Sequence, residues 1–315
     1  MQRDLIPVNA IIGLLKRDPH WPSMLYRLGY RLTMIEQPIT VPGTGTVEVD
    51  IICQNDDENH AILWECKSGR TLKEKQARVY AKVQAEDVQR TGNITFRKPE
   101  LASVEVVYCC LKEDASHISN SLQEAGVALP VVSLADKAEL LSGQIRAVKV
   151  YKGFMAGVDL PPLEQVPRFL LANTQTSESD LARLIFPTLV SLLQKQVGKI
   201  SVRLLLEQTF SDWSCMGTDL RRYLNEQFKA LIRDLCDNEL REYAQITKAT
   251  HSPGEIFIEF RGEILGRDAS SRTRTFQRLE KLAYGFIERL EENKPYEPLK
   301  ESQNMWLPGF EPTDF

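Results

Sequence analysis

The first half of the chain alternates apolar and polar positions in a way that is typical of β-strands separated by helices. The pattern predicts strands over 31–41, 46–53, 61–68, 104–111 and 129–136. It predicts helices over 8–28, interrupted by prolines, over 72–90, and from about 114 to just before 126. The first three strands fit a hairpin meander, and the later strands need helical crossovers. We therefore predict an α/β fold built on a mixed sheet.

The second half changes character after a stretch rich in proline and glycine. We predict a first domain over 1–150, a linker over 151–177, and a second domain over 178–293. The expected elements of the second domain are helices over 178–196 and 218–238 with a short segment over 199–210 between them, strands over 241–248 and 254–260, and a final helix over 272–293. Helices followed by a hairpin resemble the order of a winged-helix domain, an α+β fold.

The last residues, 294–315, form a proline-rich tail that ends in an apolar cluster. Met305, Trp306, Leu307 and Phe310 lie close together in a segment whose prolines disfavour a helix or a central strand. An extended peptide with apolar anchors suits docking into a groove. The groove could belong to a protein partner, to a second copy of the chain, or to the chain's own second domain.

Charge and composition narrow the possible functions. The 315 residues carry 39 basic and 43 acidic side chains, a net charge of −4, so a nucleic-acid surface would have to be a local patch. No apolar run is long enough for a membrane span and no secretory signal is visible, so we expect a cytoplasmic protein without membrane contact. Six cysteines form no C-x-x-C pair and only four histidines occur, which argues against zinc and iron–sulfur sites.

The chemistry is concentrated on two consecutive predicted strands. Asp50 lies on one, and Glu65 and Lys67 lie on the next, where residues two apart share a face. A hairpin can place the two carboxylates side by side, where they repel unless they share a cation. Mg²⁺ favours such sparse oxygen ligation, and the carbonyl of Cys66 could add a ligand. An ammonium at Lys67 could orient a water and stabilise charge that builds on a phosphate.

These residues, read as VEVDII followed by ILWECKSG, resemble the motif of the PD-(D/E)XK nuclease superfamily. The resemblance covers about residues 8–136, and Val49 stands where the family usually has a proline. It implies a restriction-endonuclease-like core, Mg²⁺ (or Mn²⁺ as a substitute) as cofactor, and cleavage of nucleic acid, with DNA favoured over RNA. Solvent-facing charges on one strand are the structural alternative.

A second motif follows on the next predicted helix. Gln76 and Tyr80 form Q-x-x-x-Y, which resembles the motif of RecB-like nucleases and implies that Gln76 supports catalysis and that Tyr80 contacts nucleic acid. Basic residues are dense here and would bind phosphates, unless they only line a solvated helix face. The candidates are Arg70, Lys73, Lys75, Arg78 and Lys82.

Other charged residues leave alternatives open. Glu48 shares the strand face of Asp50, and Glu36 lies on the preceding strand, so either could reach the metal or lie on a solvated surface. Arg221 and Arg222 begin the helix that would be the recognition helix of a winged-helix domain, where they could bind DNA or a protein.

We therefore expect a metal-dependent deoxyribonuclease, with endonuclease action favoured. Defence against foreign DNA, processing of mobile elements and repair are the expected settings. The alternatives are a winged-helix regulator with an inactive first domain and a docking subunit that is active only with a partner. The intact set of Asp50, Glu65 and Lys67 argues against the inactive alternative.

Overall fold

The computed structural model describes residues 3–195, 197–248, 254–261 and 269–293. It divides into two compact units. The first contains the chain up to Gln175 together with Phe210–Leu224, and the second contains Thr176–Thr209 and the chain from Asn225 onward. The predicted tail over 294–315 lies outside the described residues, as does most of the turn before the last strand.

The first unit is built on a seven-stranded mixed sheet in the order β1-β2-β3-β4-β5-β6-β7. Strands β1, β2 and β3 pair antiparallel, β3, β4 and β5 pair parallel, and β5, β6 and β7 pair antiparallel. The strands are β1 (Arg31–Val41), β2 (Gly45–Asn55), β3 (His60–Lys67), β4 (Ser103–Leu111), β5 (Val131–Leu134), β6 (Lys137–Ser142) and β7 (Val158–Asp159). The predicted meander followed by parallel strands is confirmed, whereas β6 and β7 were not predicted.

Helices cover both faces of this sheet. They are α1 (Leu5–Leu14), α2 (Met24–Arg27), α3 (Glu74–Tyr80), α4 (Ala85–Gln89), α5 (Lys112–Glu124) and α6 (Val148–Ala156). Leu63 of β3 belongs to the apolar cluster that includes Tyr80 and Ile118. Its neighbour Trp64 meets Phe154 of α6 with ring centroids 5.8 Å apart. This alternation along β3 gives Glu65 and Lys67 the orientation of Leu63, toward α3.

The single long helix predicted over 72–90 is two short helices instead. Between α3 and α4 the chain turns, and Gln84 begins α4 with its main-chain N–H donating to the carboxylate of Asp87 at 2.9 Å. Val79, Val83 and Val88 are all buried. The turn between the two helices allows all three side chains to face the core. A reciprocal capping arrangement therefore outweighs the helical propensity of this segment.

The predicted linker over 151–177 is not a free connection. Residue 151 already lies within α6, and the following segment buries Leu170 and Ala172 in the first unit. Asn9 of α1 is fully buried and binds the main chain of this segment: its side-chain amide donates to the Leu170 carbonyl, and its oxygen accepts from the Phe169 and Leu170 N–H groups. The first unit therefore continues to Gln175 rather than ending near 150.

The second unit contains a three-stranded antiparallel sheet in the order β8-β10-β9. Its elements are α7 (Glu178–Gln194), β8 (Lys199–Ser201), α8 (Val202–Thr209), the part of α9 (Thr218–Asp237) beyond Leu224, β9 (Ala244–Lys248), β10 (Ile256–Phe260) and α10 (Ala269–Glu292). Phe186 of α7 and Phe286 of α10 pack edge to face, with ring centroids 5.9 Å apart. Among the described helices, none is both long and apolar enough to cross a membrane.

Candidate active site

Three carboxylates lie in one row across the first three strands of the large sheet. The pairs Ile35–Ile51 and Gln37–Val49 bracket Glu36 and Asp50, so these two acids lie opposite each other. Ile51 pairs with Trp64, and the next step in the same register places Asp50 beside Glu65. The row therefore runs from Glu36 through Asp50 to Glu65 across β1, β2 and β3.

Direct contacts join the three residues of the predicted catalytic motif. The main-chain N–H of Cys66 donates to Oδ2 of Asp50 at 2.5 Å. Lys67 forms an ion pair with Oε1 of Glu65, a residue that is only 2% exposed. The structure thus brings Asp50, Glu65 and Lys67 together, as their positions on adjacent strands predicted.

Tyr80 and Gln76 extend this cluster from α3. The hydroxyl of Tyr80 contacts Oε2 of Glu65 and lies 2.5 Å from the main-chain carbonyl of Glu48. The Gln76 amide donates to the same hydroxyl at 3.3 Å. One phenolic proton cannot serve two acceptors at once, so the hydroxyl donates either to Glu65 or to the Glu48 carbonyl at a given moment. Tyr80 is only 1% exposed, and its hydroxyl faces Glu65 and the Glu48 carbonyl rather than the surface where the sequence predicted contact with nucleic acid.

The electrostatics of the cluster favour the protonated form of Asp50. Burial, reinforced by the charge of Glu65, raises the pKa of Asp50 well above its usual value, and the Cys66 N–H and Lys67 offset this only in part. Burial lowers the pKa of Lys67, but the carboxylates of Glu65 and Asp50 outweigh it, and the net pKa is raised. The site therefore combines a protonated Lys67 ammonium with two acids, Asp50 and Glu65, whose negative charges would repel each other.

The two additional acids differ in their surroundings. Burial and the neighbouring Glu48 raise the pKa of Glu36 to about 8. Glu48 is exposed, and desolvation followed by the charges of Asp219 and Glu65 raises its pKa as well. Glu36 has a left-handed backbone with φ of 50°, a conformation that is uncommon for a glutamate. Of the two, Glu36 is the one that lies in the row.

The predicted phosphate-binding residues lie on the surface around α3. Lys73 precedes α3, Lys75 and Arg78 lie on it, and Lys82 lies in the turn that follows it; all four side chains are exposed. Arg78 pairs with Glu74 at 3.5 Å, and Arg70 pairs with the buried Asp114 at 3.4 Å. Lys73, Lys75 and Lys82 therefore present exposed ammonium groups on the face of the sheet that α3 covers, the same face on which Tyr80 contacts Glu65.

Arg221 and Arg222 lie on the predicted helix, here α9. They belong to the first unit, in the first turns of α9, which begins directly after Gly217 pairs with β1. Arg222 is exposed and pairs with Asp219 at 2.7 Å. These cations therefore lie near the β1 edge of the sheet, beyond the Glu36 end of the row.

Sequence reasoning missed two residues of this region. Tyr108 pairs with Glu65 across β3 and β4, and its ring meets that of Tyr80 edge to face at 6.2 Å. Tyr108 could have been found from the sequence, because the predicted parallel pairing of β3 with β4 brings the two strands side by side. Gly217 meets Glu36 through tertiary contact alone, and no pattern in the sequence indicates it.

The predicted motif offers two carboxylates and one carbonyl as possible donors to a cation. Asp50 and Glu65 could hold Mg²⁺ with the Cys66 carbonyl. Within the described ranges, no group of three or more His, Cys, Asp or Glu side chains is arranged to hold a metal ion. Water and substrate oxygens would have to complete the coordination, as is usual for Mg²⁺.

Comparison with known proteins adds one similarity. Residues 4–149, less than half of the chain, match a family model described as the MJECL32 domain. The matched stretch contains Asp50, Glu65, Lys67 and Tyr80, and the description states no activity. No curated protein and no solved structure matches the chain significantly.

Proposed function

We propose that the protein is a metal-dependent nuclease that hydrolyses phosphodiester bonds. The observation that carries this proposal is the hydrogen bond from the Cys66 N–H to Asp50 at 2.5 Å, because it fixes Asp50 against the strand that bears Glu65 and Lys67. A carboxylate pair that can hold a divalent cation, with an adjacent ammonium, suits hydrolysis of a phosphodiester. The resemblance to PD-(D/E)XK nucleases points the same way.

The donor set fits a divalent cation. The pKa of Asp50 is raised by burial and by the charge of Glu65, a repulsion that a bound cation would relieve. Asp50, Glu65 and the Cys66 carbonyl would hold Mg²⁺, with Mn²⁺ as a substitute. The ion, when bound, supplies Lewis acidity and lowers the pKa of a coordinated water.

The chain's own residues have separate tasks in this scheme. Lys67 stays protonated beside Glu65 and is placed to stabilise negative charge that develops on a phosphate. Tyr80, fixed by Gln76, holds Glu65 in one orientation through its hydroxyl. Its burial keeps water from this side of Glu65, which preserves the strength of these polar contacts.

The surface around the site suits a polyanion. The exposed ammonium groups of Lys73, Lys75 and Lys82 lie on the α3 side. Arg221 and Arg222 follow Gly217, which binds β1 beside Glu36, the opposite end of the carboxylate row. We propose DNA rather than RNA as the substrate, by analogy with the superfamily. Defence against foreign DNA, mobile-element processing or repair in the cytoplasm are the corresponding settings.

The test is cleavage of circular substrates by the purified protein. Circular single-stranded DNA, circular double-stranded DNA and RNA are incubated with and without Mg²⁺ or Mn²⁺. Metal-dependent opening of a DNA circle is the expected result, and it identifies endonuclease action. A protein that binds DNA but cleaves none of these substrates with either metal would contradict the proposal.

A second candidate function rests on the second unit. Its elements follow the order α7, β8, α8, α9, β9, β10, and its strands pair in the order β8-β10-β9. This order of helices and strands supports a winged-helix arrangement. Such a unit could bind nucleic acid or dock the chain onto a partner that activates it. Cleavage that appears only after a partner is added would favour this candidate over an independent nuclease.

A further inference from the structure

A downstream segment, Phe210–Gly217, joins the edge of the large sheet next to the carboxylate row. Met216 is fully buried and forms a parallel bridge with Ile35 of β1. The N–H of Gly217 donates to the Ile35 carbonyl at 2.6 Å. We call Phe210–Gly217 the strap; it extends the sheet beyond β1, about 180 residues away in sequence from the strand it meets.

A second anchor holds the other part of the strap. The ammonium of Lys16, two residues after the end of α1, lies 2.6 Å from both carboxylate oxygens of Asp212. Both side chains are largely shielded from solvent, at 26% and 12% exposure, so this ion pair is less screened than a surface pair. The strap is thus held at Asp212 and at Gly217 within the same unit.

Gly217 meets β1 at the one residue of the strand whose backbone is left-handed. A Cβ atom on Gly217 would lie 2.0 Å from the main-chain oxygen of Glu36, a distance that no side chain tolerates. Glu36 has φ of 50°, which costs free energy for a non-glycine residue and persists only where neighbours enforce it. The strap binds the carbonyl of Ile35 and packs against the carbonyl of Glu36. It is therefore the neighbour that can enforce the left-handed backbone of Glu36.

We propose that Gly217 is a positioning residue of the site, acting through the backbone of Glu36 on the β1–β2 pairing that holds Asp50. This inference rests on the proposed nuclease function. Without the close approach of the strap, the peptide at Glu36 relaxes to an ordinary extended conformation and its side chain turns. Glu36, which lies opposite Asp50, then moves relative to β2, and the distance between Asp50 and Glu65 is no longer fixed. A displacement of a catalytic group by about 1 Å can lower the rate of reaction roughly 100-fold, so we expect catalysis to suffer more than binding.

The test compares three variants of the full chain. Gly217→Ala introduces the clash with Glu36, and Lys16→Met removes the ion pair to Asp212 without touching β1. Gly285→Ala is the matched control, because a Cβ at this position in α10 meets nothing within 4 Å. For each protein we would measure the melting temperature, kcat and KM for DNA cleavage, and hydrogen exchange of the β1 and β2 amides.

We expect Gly217→Ala to lower kcat roughly 10- to 100-fold with KM little changed. Lys16→Met should give a smaller loss of the same kind, and Gly285→Ala none. Exchange at the Gly217 amide and at the amides of β1 and β2 around Glu36 should accelerate in the first two variants only. If Gly217→Ala does not fold, Lys16→Met carries the test.

Two results are decisive in the other direction. Wild-type kcat in folded Gly217→Ala, or in Lys16→Met when the glycine variant does not fold, would overturn the positioning role while leaving the nuclease function intact. If the wild type itself does not cleave, the proposed function fails. Hydrogen exchange then still decides whether the strap holds β1, because unchanged exchange in the variants would overturn that as well.

Discussion

The main-chain N–H of Cys66 donates to the carboxylate of Asp50 at 2.5 Å, and this bond ties β2 to the end of β3 where Glu65 and Lys67 lie. It places the acid of one strand beside the acid and the ammonium of the next. The residue that makes the bond contributes only its backbone, so the bond survives substitution of its side chain. Side-chain changes at Glu65 and Lys67 therefore test the chemistry with this bond left in place, whereas a change at Asp50 removes the bond together with the carboxylate.

We expect Asp50→Ala, Glu65→Ala and Lys67→Ala each to reduce cleavage to background. The three residues act as one unit, so losing any member should cost nearly as much as losing all. Cleavage rate with Mg²⁺ and a thermal melt are the measurements. Full activity of folded Glu65→Ala would show that the catalytic site lies elsewhere.

The hydroxyl of Tyr80 is predicted to matter for turnover and not for binding. Tyr80→Phe keeps the buried ring and removes the contacts to Glu65 and to the Glu48 carbonyl. We expect kcat to fall roughly 10-fold, as is typical for groups that orient a ligand residue, with DNA affinity unchanged. Tyr284→Phe serves as the control, because that side chain is 68% exposed. A weakened affinity with normal kcat would instead support direct DNA contact.

Lys82 is predicted to bind phosphate. Its ammonium is exposed in the turn after α3, so Lys82→Ala should weaken DNA binding without unfolding the protein. The slope of log affinity against log salt should flatten by about one unit. Lys152→Ala is the matched control, since Lys152 is exposed on α6, which packs against β6 toward the other edge of the sheet. An unchanged slope in Lys82→Ala would mean that this turn does not face DNA.

The stability of the metal-free protein should fall as the pH rises toward 8. Burial raises the pKa of Glu36 to about 8 in the folded state, so the folded protein binds this proton more tightly than the unfolded chain does. The resulting stabilisation is complete below the ordinary pKa near 4.5 and is lost as the pH passes through about 8. The shift converts to roughly 5 kcal/mol at about 1.4 kcal/mol per unit, and partial solvent access lowers that figure.

Glu36→Gln isolates this contribution. Melting temperatures measured from pH 5 to pH 9 in a chelating buffer should decline less in the variant than in the wild type. Parallel curves for the two proteins would contradict the assignment of the titration to Glu36.

Asn9 is predicted to be the main polar anchor of the segment after α6. Asn9→Ala leaves the Leu170 carbonyl and two main-chain N–H groups without their partner, which should destabilise the protein by about 2–4 kcal/mol. Urea unfolding of this variant, with Asn120→Ala at an exposed position of α5 as the control, measures the difference. Equal stability of the two variants would show that the segment is held by its apolar contacts alone.

Local patterns were enough to predict the strands that carry the site. Alternating β-branched residues set β1 to β4 to within a residue or two, and the two-residue spacing of Glu65 and Lys67 fixed their common orientation. The same reasoning failed for the helix predicted over 72–90, where the Asp87 carboxylate accepts the Gln84 N–H and starts a second helix. It also failed for the predicted linker, whose backbone binds Asn9. In both cases a side chain that satisfies main-chain groups outweighed propensity and composition.

The sequence determined which residues form the proposed catalytic set, because strand periodicity and hairpin pairing are local and place Asp50, Glu65 and Lys67 on neighbouring strands. Only the tertiary structure decided how the set is held. The burial of Tyr80 against Glu65, the row that includes Glu36, and the approach of Gly217 to β1 all depend on contacts between segments far apart in the chain. Such contacts follow from close packing in three dimensions, which leaves no period and no spacing in the sequence.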